Sequence, residues 1–219
     1  MDNVTDRTSN PFGMHPPCEY PCSMSVDAVY GFGDPNADFH LIGDHPGVHG
    51  GRETGIPFTD VASSERLLEV LRQVGLITGF DGEVPLVRNL FMSYLHMCCL
   101  PDGATPTDKD YATLERFFDA ELRGIAAHVL MPVGERATRH VLQEFTAKAA
   151  KLDGSVDHIH ARELSGRGFL VVPITQPSTW SDADESMLKA RLQAVLTSDY
   201  RQESDLTRFL ATDELYLVR

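Results

Sequence analysis

ADFHLIGDHPGVHGGRETGIPFTDVASSERLLEVLRQVGL, residues 37–76, decides the fold class. It opens on an apolar run, Phe39 to Ile42, short enough for a buried strand. It then passes through a glycine-rich loop holding Asp44, His45 and His49, and leaves along a helix whose Leu67, Leu68, Leu71 and Val74 share one face. Strand, loop and helix in that order are the unit of a parallel sheet. Ligands bind such sheets at the carboxyl ends of the strands, where loops converge and helix N-termini point outward.

The same unit recurs. Apolar runs at Leu86–Phe91, Val129–Val133 and Phe169–Ile174 are each followed by a loop with Gly or Pro and then by a helical pattern. Tyr111, Leu114, Phe118, Leu122 and Ile125 step by three and four along a second helix. A third covers about Glu135 to Ala149, and a fourth about Asp182 to Leu196, with Leu188, Leu192 and Val195 as its apolar stripe. Thr107 with Asp110, and Ser181 with Asp184, have the spacing of capping boxes at helix starts. The expectation is an α/β fold, a three-layer sandwich with a central four-stranded parallel sheet flanked by helices. Residues 1–36, rich in Pro, Gly, Asn and Asp, read as an irregular arm; 37–200 as one domain; 201–219 as a C-terminal extension packed on it. Leu152 to Gly168, with His158 and His160, reads as a surface connection.

At 219 residues the chain has room for one substantial core, and 42% hydrophobic with 23% charged residues is a globular composition. No apolar run reaches the roughly 18 residues of a membrane helix, and the N-terminus lacks the pattern of a signal peptide, so a cytoplasmic monomer with no membrane partner is expected. The net charge of −13 leaves two readings open. Either nucleic acid is not the ligand, or the acidity is a solvated surface suited to high salt, with the few basic residues gathered near the site.

Gly43-Asp44-His45-Pro46-Gly47, followed by His49-Gly50-Gly51, Thr54-Gly55 and Pro57-Phe58-Thr59, resembles the first motif of the uracil-DNA glycosylase superfamily, in particular its iron-sulfur-containing microbial branches. With the acid-rich composition, the resemblance suggests a divergent member from a salt-loving archaeon. It implies the fold above and a reaction in which uracil is flipped out of DNA and its N-glycosidic bond hydrolysed.

The resemblance assigns roles by position. Asp44 would position or deprotonate a water, or stabilise a cationic sugar; a loop-capping Asp is the alternative for the same residue. Asp60 is a second catalytic candidate, though an acid at a helix start also serves the macrodipole. Gly43, Pro46, Gly47 and His49 would shape the substrate loop, His49 without a stated role. Phe58 would stack on the flipped base, and Asn89 would read its edge, since a carboxamide offers donor and acceptor in one plane. Gln176 occupies the position at which the family carries His before Pro. It can donate the same bond to a uracil carbonyl, as a weaker electrostatic partner. Pro177 and Ser178, with Trp180, would form a loop pressing into DNA. Arg136 and Arg139 begin the third helix beside an architectural Gly134.

Cys18 and Cys22, with Cys98 and Cys99, are candidate ligands of an iron-sulfur cluster. The family's fourth cysteine, in the second helix, is replaced by Leu114; Cys98 is the substitute, and reduced thiols or a zinc site are the alternatives. The function expected is uracil excision from DNA in base excision repair. The rival is a non-catalytic paralogue binding nucleic acid or a protein partner, motivated by Gln176 and Leu114. A nucleotide-binding protein using the glycine-rich loop is a third reading, but the loop lacks the Lys-Ser/Thr ending of a P-loop.

Overall fold

A computed structural model describes residues 8–146 and 155–207. In chain order the elements are β1 (Phe32–Gly33), β2 (Phe39–Gly43), α1 (Pro46–His49), α2 (Ala62–Gln73), β3 (Ile77–Asp81), β4 (Val84–Val87), β5 (Leu90–Tyr94), α3 (Asp108–Ile125), β6 (Val129–Pro132), α4 (Gly134–Phe145), β7 (Leu164–Ser165), β8 (Leu170–Val171), α5 (Asp182–Thr197) and α6 (Tyr200–Thr207). The main sheet runs β1-β5-β2-β6-β8-β7. Its four central strands are parallel, as expected, with β2 between β5 and β6.

Among the described residues the sheet has six strands rather than four. Two-residue strands, β1 from the arm and β7 from the 152–168 connection, pair antiparallel at the two edges. Neither is long enough to leave a periodic signal in the sequence. The second expected strand is also displaced. Val84–Val87 turns back on β3 as a separate hairpin, and the buried strand is Leu90–Tyr94, so Asn89 precedes the strand instead of lying within it. Short apolar runs separated by Val-Arg-Asn carry no periodicity that says where one strand stops and the next begins.

Three layers follow from the alternation of side chains along the strands. Phe39, Leu41, Met92, Val129 and Met131 face α2 and α5 through Leu67, Leu71, Leu188 and Leu192. Ile42, Phe91, Leu130 and Val171 face α3 and α4 through Phe118, Leu122, Val141 and Leu142. Both expected capping boxes form, Thr107 with Asp110 at α3 and Ser181 with Asp184 at α5. The third helix ends at Phe145; residues 147–149 of its expected span, like 208–219 of the C-terminal extension, lie outside the described residues. What is described of that extension begins in α6, whose Tyr200 and Arg201 bond the buried Asp38 carboxylate at the amino end of β2.

Candidate active site

The ladder hydrogen bonds continue past the strands and gather four loops. Leu95 N–H donates to Gly43 O and His96 N–H to Asp44 O, each at 3.0 Å, while Val133 N–H reaches Ile42 O and Gly134 N–H reaches Ile174 O, each at 2.8 Å. Asp44, His96, Gly134 and Gln176 thus leave the same edge of the sheet. Between this edge and the helices α3 and α4 lies a cavity of about 680 Å³, whose lining includes Asp44, His49, Tyr111, Gly134, Arg136 and Gln176.

Asp44 is tied to α3, because the Tyr111 hydroxyl donates to its Oδ1. Burial first, and then the hydrogen bond to Asp44 and its charge, raise the Tyr111 pKa, so the phenol stays a donor. The Arg136 guanidinium lies 3.7 Å over the Tyr111 ring and bonds Asp108 at 2.7 Å. Beside them His96 donates Nδ1–H to Cys98 O at 3.0 Å, and burial lowers its pKa.

His49 closes the one-turn helix α1, with Pro46 at its first position and Gly47 N–H donating to the His45 Nδ1 cap. The His49 ring packs at 6.0 Å on Tyr94 and 5.3 Å on Phe58, and its Nε2 has no hydrogen-bond partner among the described residues. Phe58 lies behind it. Its N–H donates to the Tyr94 hydroxyl at 2.7 Å, which donates in turn to Gly50 O at 3.0 Å, and the side chain is fully buried in the core. The expected stacking face is therefore turned into the protein, and the cavity wall at that point is His49. Gly43 permits this packing, since a Cβ there would stand 2.7 Å from Tyr94 Cδ1 and 2.8 Å from Phe58 Cζ.

Two further candidates stand elsewhere. Asp60 accepts from Gly51 N–H and Glu53 N–H, each at 2.8 Å, with an exposed side chain that buckles the loop instead of facing the cavity. Asn89 lies at the amino end of β5, the edge opposite the cavity. There it accepts from Asp38 N–H at 2.7 Å and donates to Asp38 Oδ2 at 3.1 Å. Its φ of 55° explains an Asn at that turn. In the last loop Pro177 is buried and Ser178 exposed, but Trp180 is core, donating from Nε1 to Thr175 O at 3.0 Å.

This chain matches the uracil DNA glycosylase superfamily over residues 30–197. It belongs to that superfamily. It is 32% identical over 120 residues to a type-5 uracil-DNA glycosylase of Thermus thermophilus, covering 53% of this chain and 55% of that protein. A type-5 uracil-DNA glycosylase of Pyrobaculum aerophilum is 30% identical over 153 residues, 67% of this chain and 64% of the relative. One from Mycobacterium leprae is 28% identical over 104 residues, 46% and 45% of the two chains. The chain thus spans about half to two thirds of the length of these curated relatives.

Within this superfamily member the cysteines are paired: Cys18 with Cys98 and Cys22 with Cys99. Cys98 and Cys99 are consecutive residues on an extended segment, bridged to Ala28 and Tyr20 respectively. Neighbouring side chains on such a backbone point to opposite sides. Accordingly Cys98 packs with Met97 and Leu114, and Cys99 with Cys22 in the main core. A single cluster needs four thiolates converging on one centre, so the expected ligand set Cys18, Cys22, Cys98 and Cys99 does not fit one. Among the described residues no group of three or more His, Cys, Asp or Glu side chains is placed to hold a metal.

Sequence reading of this glycosylase homologue missed three groups. Tyr111 falls on the apolar stripe of α3 in sequence, which carries no local sign of its bond to Asp44. His160, in the supposed surface connection, is buried; it accepts from Thr175 N–H at 3.1 Å and donates to Asp184 O at 2.9 Å, anchoring the loop that carries Gln176. Glu121 is a fully buried carboxyl on α3, bonded by Gly31 N–H at 3.2 Å. Its place beside Phe118, Leu122 and Ile125 is the signal that was available, a charge within an apolar face.

Proposed function

We propose that this chain is a uracil-DNA glycosylase, hydrolysing the N-glycosidic bond of uracil in DNA in the course of base excision repair. The observation carrying the proposal is Asp44, a carboxylate at the end of the central strand, oriented by Tyr111 and opening on a cavity that Gln176 and His49 also line. A flipped nucleotide enters the cavity. The C1′–N1 electron pair leaves with the base, a water held by Asp44 adds its oxygen to C1′, and the water's proton passes to the carboxylate. Gln176 and His49 meet the polar edge of the base. Ser178, exposed after the buried Pro177 that fixes its loop, lies against the DNA strand, and Pro46 and Gly47 shape the turn that presents Asp44. The reading supposes a monomer in the cytoplasm; no helix among the described residues is long and apolar enough to cross a membrane.

The rival, a non-catalytic paralogue that binds nucleic acid or a protein partner, draws support from Gln176. Incubation with a uracil-containing oligonucleotide separates the two. Release of uracil above an Asp44→Asn control supports the glycosylase; tight binding of the duplex without release at several salt concentrations favours the paralogue.

A further inference from the structure

Beside the main cavity lies a smaller hollow of about 180 Å³, walled by the loop after β2 and by residues 99–105. Val48, 37% exposed, lines both and so forms the ridge between them. The chain is strongly acidic, yet no Asp or Glu lines this hollow. The polar side chains that do are His45, Arg52 and Thr105.

His45 is 5% exposed, and its Nδ1 accepts from Gly47 N–H at 3.1 Å. The ring proton is therefore on Nε2, which has no partner among the described residues. A buried donor left unpaired is costly, and the ring cannot turn to pair it without giving up the Gly47 bond. Gly47 lets the ring lie this close, since a Cβ there would stand 2.8 Å from His45 Cε1 and 3.0 Å from Nδ1. Arg52 supplies the second donor. Its Nη1 bonds Asp102 at 2.9 Å, and its Nη2 donates to Leu100 O at 3.5 Å, which holds the guanidinium against the wall. The Asp102 side chain is 94% exposed, and an ion pair to so solvated a carboxylate is weak. The wall itself is fixed, because Cys99 is tied to Cys22.

We infer that this hollow is a phosphate subsite, in which His45 Nε2–H and the Arg52 guanidinium, released from Asp102, donate to oxygens of one phosphate group. A DNA strand with a nucleotide in the main cavity crosses Val48 and lays a neighbouring backbone phosphate here. Such a contact sets the register of the strand and carries no sequence information. That the phosphate belongs to DNA rests on the glycosylase reading; the donor chemistry of the hollow does not.

The full chain is tested as wild type, Arg52→Gln, His45→Phe and Asp102→Asn. The probes are inorganic phosphate and a uracil-containing single strand with one neutral methylphosphonate placed at each position near the uracil in turn. Arg52→Gln and His45→Phe should each weaken strand binding about 10-fold. Asp102→Asn should strengthen it about 2- to 5-fold, and not when Arg52 is also replaced by Gln. One methylphosphonate should weaken wild type as much as Arg52→Gln does and cost Arg52→Gln nothing further. Inorganic phosphate bound by wild type and not by Arg52→Gln, with every methylphosphonate silent, supports the subsite and makes free phosphate its ligand. Neither response, or responses undiminished in Arg52→Gln, overturns it. Arg52→Gln, partly exposed, decides the matter should His45→Phe misfold. Uracil release is read in parallel. Phosphate binding that depends on Arg52, with no release from any strand, keeps the subsite and removes the glycosylase reading, whereas release with phosphate responses independent of Arg52 overturns the subsite alone.

Discussion

The Tyr111 hydroxyl donates a hydrogen bond to the Asp44 carboxylate across 67 residues of chain, tying the end of the central strand to the first turn of α3. One carboxylate oxygen is thereby committed and the other is left to the cavity. Asp44→Asn should lower single-turnover uracil release by about 10²- to 10⁴-fold, the range of a lost general base. Tyr111→Phe keeps the carboxylate but not its orientation, so a loss near 10-fold is expected, about 1.4 kcal/mol or one ordinary hydrogen bond. Equal rates for wild type and both variants would remove Asp44 from the chemistry.

Packing at Gly43 makes a stability prediction that does not depend on activity. A methyl group there meets two immobile rings, and overpacking of this kind costs about 1–3 kcal/mol. Gly43→Ala should lower the midpoint of thermal unfolding. An unchanged midpoint would mean that Tyr94 and Phe58 have room to retreat.

Buried ionisable groups set the pH profile. Burial raises Glu121 from 4.5 to about 8, against hydrogen bonds from Gly31 and Ser93. Between those values the folded chain holds a proton that the unfolded chain has released, so stability falls as pH rises through the interval. His40 and His49, lowered by burial from 6.5 to about 3, act in the opposite sense, and stability falls as pH drops below 6.5. Glu121→Gln should remove the first effect only and move the optimum of thermal stability to higher pH. An optimum that stays in place counts against a perturbed Glu121.

The paired cysteines tie the arm to the segment before α3. The native chain should show no reactive thiol and no stoichiometric iron, and four thiols after reduction and unfolding. Each bond closes a loop of about 80 residues, and removing one costs about 2–5 kcal/mol, so reduction should lower the unfolding midpoint. Iron bound in proportion to protein would restore the cluster that the pairing displaces.

Affinity for DNA should respond weakly to salt. The arginines at the cavity, Arg136 and Arg139, are bonded to Asp108 and Glu135, and the chain carries a net charge of −13. Two phosphate contacts predict a slope of about −2 in log K against log salt. A slope steeper than about −4 would require a basic surface beyond these two residues.

Local physics was readable in the sequence. Strand, loop and helix alternated from Phe39 onward, Thr107 and Ser181 marked helix starts, and Asp44 and Gln176 followed apolar runs that did become strands ending at the same edge of the sheet, because periodicity and capping involve residues a few positions apart. What faces what was decided only by the tertiary structure. Asn89 went to the opposite edge because β5 starts one residue after it. Phe58 turned inward because Tyr94 and Gly43 made a place for it. Cys98 and Cys99 parted because adjacent residues of an extended chain point apart, and Tyr111 became a partner of Asp44 because α3 packs across the end of β2. Each of these outcomes depends on groups tens of residues apart in sequence, whose approach is set by the closed sheet and its helices and by no local pattern.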